Sequence, residues 1–73
     1  MDNKNLNNLR ADLVGELEAI NQYQGHIDEV DDEEVKKVLT HVMNDEKEHV
    51  AELTKLLQQV DATQKEKFEK EGL

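Results

Sequence analysis

The chain has 73 residues, no cysteine, no proline, one tyrosine and one phenylalanine; that limits it to one small domain, excludes disulfides and thiolate metal sites, and rules out a large aromatic core. A chain this short rarely makes a sufficient core alone, so it needs a metal, a partner or self-association. The formal net charge of −9 argues against nucleic acid and anionic membranes, no apolar run has membrane-spanning length, and Met1-Asp-Asn-Lys lacks the parts of a signal peptide, so cytoplasmic synthesis is the expectation.

Helical periodicity begins at Leu6. Leu6, Leu9, Leu13, Glu16, Ile20, Tyr23 and Ile27 recur at alternating steps of three and four, which predicts an amphipathic helix over about residues 5–30. Asn3, Asn5 or a neighbour is placed to cap its start. Gly15 and Gly25 fall inside it. The acidic segment Asp28–Glu34 follows and reads as a cap and solvated loop. Within it, Asp31 with Glu34 three residues on has the form of a capping box. A second helix is predicted over about residues 33–60, with an inward stripe at Val35, Leu39, Val42, Glu46, His49, Leu53, Leu56 and Val60. Asp61 is placed to cap a third, short helix running to about Glu71, with Gly72 as its stop. Residues 61–73 are mostly Lys, Glu and Gln, with Phe68 the large apolar residue before Leu73. Two readings stand for this segment: a helix docked through Phe68, or a frayed tail.

The two stripes fit one antiparallel hairpin. Leu6 then faces Leu56, Leu9 faces Leu53, Leu13 faces His49, Ile20 faces Val42, Tyr23 faces Leu39 and Ile27 faces Val35. Each of these pairs contains Leu, Ile or Val. The exception is Glu16 facing Glu46, with His49 one turn from Glu46. Two carboxylates at one level repel unless a proton or a cation lies between them. A cation is the economical explanation, and a structural polar layer is the alternative. A lone Glu-x-x-His occurs by chance on many charged helices; its place on the seam opposite Glu16 is what makes it a candidate ligand pair.

A second apolar stripe, Met43, Val50 and Leu57, lies one residue beyond Val42, His49 and Leu56. Val14, Leu17 and Val38 add further apolar surface. One hairpin cannot cover so wide a face, so the expected fold is an all-α antiparallel hairpin that dimerises into a four-helix bundle. A two-fold dimer doubles the polar set to four carboxylates and two imidazoles. That is the ligand set of a dinuclear carboxylate site: one Glu from each of two helices and Glu-x-x-His from each of the other two.

Residues 13–23 and 39–53, above all Asp45-Glu-Lys-Glu-His49, resemble the encapsulated ferritin family, a two-helix branch of the ferritin-like and rubrerythrin-like proteins. The resemblance covers about residues 6–60. It makes the expected bundle a ferritin-like four-helix bundle and implies a di-iron ferroxidase centre assembled at a dimer interface, with dimers joined in a ring such as a decamer. It carries the iron ligands onto Glu16, Glu46 and His49, makes Glu46 of each subunit a bridging ligand, and sets Tyr23 beside the centre among the catalytic residues. It implies delivery of iron into an encapsulin shell, and so a place inside an encapsulin nanocompartment. The chain departs from the family pattern at Gly15 and Gln22, where an acid and an aromatic are common, although Glu18 remains. Lys65 to Leu73 does not resemble the short apolar peptide that docks cargo in such shells.

Two rival functions fit the same residues: a rubrerythrin-like peroxide or oxygen scavenger, and a non-catalytic module that a metal glues together. His26 and His41 read as exposed histidines. Glu18, Asp45 and Glu48 read as surface charges, and Lys47 and Lys55 as helix-surface partners for nearby acids.

Overall fold

Three helices and no strand make up the computed structural model, which describes residues 1–73: α1 (Asn3–Glu29), α2 (Glu33–Val60) and α3 (Ala62–Lys70). Helix α1 starts one step earlier than its apolar stripe. Its cap is Asp2, not Asn3 or Asn5: the Asp2 carboxylate accepts from the Asn5 amide at 2.8 Å. The chain then turns through Val30–Asp32 and runs back. The cap of α2 is Asp32 rather than Asp31, so the expected capping box is not formed. Asp32 Oδ1 accepts from the amides of both Glu34 (2.9 Å) and Val35 (3.0 Å), satisfying two of the donors that a helix start leaves free. Glu33 and Glu34 add negative charge at the favourable end of the helix.

Helix α3 is formed, which decides between the two readings of the C-terminal segment. Asp61 caps it as its position suggested, accepting from the Gln64 amide at 3.1 Å. Gly72 ends it at φ +78°, a left-handed conformation suited to glycine. The turn lets the Leu73 amide donate to the Phe68 carbonyl at 2.8 Å. Phe68 and Leu73 then face Ala51, Thr54 and Gln58 of α2 across a shallow groove. Helix α3 packs on α2 alone.

All seven stripe positions of α1 are half-buried. On α2 five of the eight expected stripe positions, Leu39, Val42, Glu46, Leu53 and Val60, are half-buried, but the packed face is turned toward the second stripe. The buried residues are Met43, 6 % exposed, and Leu57, 7 % exposed, with Val50 half-buried between them. Val35, His49 and Leu56, expected on the seam, are exposed instead. The apolar band of α2 is wider than one neighbouring helix can cover. Helix α1 settles over Met43 and Leu57, and the Val35–His49–Leu56 edge is left open. By the 3.6-residue period that open edge lies on the opposite flank of α2 from the α3 groove.

The molecule measures 45 × 27 × 14 Å. Fourteen ångströms is little more than one helix diameter, so the hairpin is a single layer. Its radius of gyration is 15.4 Å, against about 11 Å for a compact chain of this length. Charged contacts are sparse. Arg10 donates to Asp61 at 2.9 Å and ties α1 to the α2–α3 junction, and Lys36 lies 3.9 Å from Glu33. Lys47 and Lys55 make no ion pair, contrary to the expectation.

The Gln64 amide holds the Asp61 carboxyl below its ordinary value. Partial desolvation opposes this, and the Arg10 guanidinium adds to it. A carboxyl depressed on folding stabilises fully above its unfolded pKa, and that contribution is lost as pH falls through the folded value. Asp61→Asn keeps a capping oxygen but removes the charge. The stability gap between wild type and Asp61→Asn, read by urea unfolding, should therefore be open at about pH 6 and close toward about pH 3. A pH-independent gap would contradict the assignment. A methyl group added at Gly25 meets nothing within 4 Å, so Gly25→Ala should stabilise the fold by about 0.5–1 kcal/mol; a lowered melting temperature would show that the site is not open.

Candidate metal centre

The hairpin brings three side chains to one point near the middle of its length. Glu16 comes from α1, and Glu46 and His49 come from successive turns of α2. Helix α1 presents Glu16 because it falls on the same face as Leu13 and Ile20, which pack inward. Glu46 lies on the packed face of α2, near Met43 and Val50. His49 lies a three-residue step further round, toward the open edge. The exposures follow that order: the Glu46 side chain is 19 % exposed, Glu16 28 % and His49 48 %.

His49 Nδ1 lies 3.3 Å from Glu46 Oε2 and 3.4 Å from Glu16 Oε2. All three prospective ligand atoms are within 4.8 Å of one another. These are long contacts, and one ring nitrogen set between two carboxylates satisfies neither well. They are close to the spacing a metal would impose. A first-row divalent cation at about 2.1 Å from each donor holds neighbouring donors about 3 Å apart. Two carboxylates and one imidazole form a hard-to-borderline donor set suited to Fe(II) or Zn(II). Three donors leave a metal's remaining positions open. They also leave a single chain short of the ligands a dinuclear site requires.

Tyr23 is half-buried on the same face of α1. It lies two turns beyond Glu16, about 10 Å along the axis, makes no side-chain hydrogen bond and is not one of the clustered residues. His26 is exposed at the hairpin end, beside Glu29 and Val30. His41 is exposed, with Nε2 3.6 Å from Asp45 Oδ2. Glu18, Asp45 and Glu48 are exposed. One residue outside the sequence reading stands at the cluster: Glu52 lines a recess with Glu16, His49 and Leu53. Its signal was present in the sequence as Glu46-x-x-His49-x-x-Glu52, a ladder one rung longer than the Glu-x-x-His pair.

The open edge of the layer runs past this cluster. Val35, Val38 and Leu56 are exposed along α2 on the side where His49 emerges, and Val14 and Leu17 are exposed on α1. No helix is long and apolar enough to cross a membrane.

Comparison with known proteins gives a consistent family. A family profile described as EncFtn-like matches residues 1–71. The encapsulin nanocompartment cargo protein EncC of Myxococcus xanthus is 43% identical over 56 residues, which are 77% of this chain and 43% of that protein. Cargo protein EncB of the same organism is 36% identical over 62 residues, 85% of this chain and 39% of that protein. A ferritin-like–encapsulin shell fusion protein of Pyrococcus furiosus is 41% identical over 56 residues, 77% of this chain and 16% of that protein. The chain thus spans less than half the length of these curated relatives. No solved structure matches it at a significant level.

The carboxylate layer and the packed layer should respond differently to truncation. In chelator-treated protein, Leu57→Ala should cost about 2–5 kcal/mol, the range for a buried leucine. Glu16→Gln should cost little or raise stability, because it relieves the repulsion from Glu46. A Glu16→Gln loss as large as that of Leu57→Ala, measured by denaturant unfolding, would mean that the three side chains are a structural network rather than a set of metal ligands.

Proposed function

Because the chain belongs to the EncFtn-like, or encapsulated-ferritin-like, family, we propose that it is a ferroxidase: it binds Fe(II) as substrate at a centre shared by two copies of the chain and oxidises it to Fe(III) with dioxygen. The observation that carries this reading is the convergence of Glu16, Glu46 and His49 at the open edge of a one-layer hairpin. A second hairpin laid against that edge would cover Val35, Val38 and Leu56. It would also supply a second Glu16, Glu46 and His49, giving the four carboxylates and two imidazoles of a di-iron site.

The residues have separable roles. Glu16 and Glu46 carry the negative charge that offsets bound Fe(II) and favours the extra positive charge of Fe(III). Glu46, the most enclosed of the three, is the one suited to bridge two ions. His49 binds as a neutral donor and leaves coordination positions open for the oxidant. Each Fe(II) gives one electron; two electrons and two protons reduce one dioxygen to hydrogen peroxide. Tyr23 is a candidate for the surroundings of this centre through its place on the α1 face. The −9 charge raises the local concentration of cations. Two relatives are named as encapsulin cargo and a third as a shell fusion. On that support the chain is an iron-oxidising cargo of an encapsulin shell, and the shell supplies the storage volume that a thin hairpin lacks.

The test is stopped-flow oxidation of Fe(II) in air. Wild type should form Fe(III) in a fast phase, and Glu16→Ala and His49→Ala should each slow it by more than about ten- to a hundredfold, the loss caused even by removing a group that only supports a metal ligand. Unchanged rates in both variants would remove the site. A strong preference for peroxide over dioxygen would favour a scavenger. Tight metal binding without oxidation would favour a metal-dependent assembly module.

A further inference from the structure

The ladder on α2 does not stop at His49. Glu46, His49 and Glu52 follow one another at three-residue steps. Three residues fall about 60° short of a full helical turn, so the ladder winds from the packed face outward. Glu46 is the most enclosed rung, His49 is half-exposed, and Glu52 is exposed. Glu52 shares a recess with Glu16 and His49, floored by Leu53. Its carboxylate is uncommitted: it takes part in no ion pair and no side-chain hydrogen bond, with Lys55 one turn away and unpaired. It is not one of the three residues whose donor atoms cluster.

We propose that Glu52 is a positioning residue for the incoming divalent cation: it captures the hydrated ion at the mouth of the recess and hands it to Glu16 and His49, without remaining a ligand. This deepens the ferroxidase reading and rests on the same cluster. The physical basis is charge and order. A carboxylate at the rim attracts a divalent ion most strongly while the ion is still outside. The ion then meets Glu16 and His49, and last the enclosed Glu46. Capture that acts before binding changes how much Fe(II) half-saturates the enzyme, not how fast the loaded centre reacts.

The experiment uses the full chain and its Glu52→Gln and Glu52→Asp variants. Oxidation rates across an Fe(II) series, anaerobic Co(II) association rates and Co(II) stoichiometry are measured, with oligomeric state checked for each protein. Glu52→Gln should raise the half-saturating Fe(II) concentration and slow Co(II) association, each about three- to tenfold, the size expected of one exposed charge acting on a divalent ion. The maximal rate and the Co(II) stoichiometry should hold. Glu52→Asp should keep most of the effect, and about 0.5 M salt should erase the difference between wild type and Glu52→Gln. Equal half-saturation and association rates in wild type and Glu52→Gln would overturn the proposal. So would a lost equivalent of Co(II), which would make Glu52 a ligand, or a rate change that tracks only a changed oligomeric state. If wild type binds Co(II) but does not oxidise Fe(II), the ferroxidase reading falls while the association rates still decide the role of Glu52.

Discussion

A layer of helices one helix thick has two broad faces and no interior. That constraint governs this protein. Only Met43 and Leu57 are buried in the 73-residue chain. Helix α1 covers the middle of the apolar band of α2, α3 covers one flank, and the other flank is open. Domains are stable when at least two packed layers enclose a core. The apolar residues along the open flank stay exposed in the single chain, and the polar cluster sits at the edge of that flank.

The cluster makes sense in the same terms. Glu16 and Glu46 repel each other across the hairpin, and one imidazole nitrogen set between them does not resolve the conflict. In the proposed reading a cation removes the repulsion, and a second copy of the chain doubles the donors around it. In that reading, covering the flank and filling the cluster are one event: binding energy for metal becomes association energy for the two layers.

Much of this was legible from the residues. The α1 stripe from Leu6 to Ile27 was placed on the packed face residue by residue, because one helix face meets one neighbour and the three-four spacing has a single solution. The Asp61 cap and the Gly72 stop were legible for the same local reason. On α2 the pattern was ambiguous. Val42, His49 and Leu56 compete with Met43, Val50 and Leu57 for the inward position, and the sequence carries both stripes because α2 has two faces to cover. Within one hairpin, Leu39, Val42, Glu46, Leu53 and Val60 of the first stripe stay half-buried, while Met43 and Leu57 of the second are the buried ones and Val35, His49 and Leu56 are exposed. Asp31 and Asp32 are equally good caps by type; only the backbone turn after Val30 sets which carboxylate reaches the Glu34 and Val35 amides. The Glu46-x-x-His49-x-x-Glu52 spacing is legible in the sequence, but on an acidic helix the third rung reads as one more solvated charge; the recess it lines with Glu16 and His49 is what singles it out.

In the proposed reading the metal centre belongs to two chains and not to one. Anaerobic native mass spectrometry across an Fe(II) titration counts metals on each assembly directly. Single chains should carry no iron, and iron should enter dimers and larger assemblies two ions per pair of chains. Single chains that bind one iron each, with dimers no richer in metal per chain, would contradict the account.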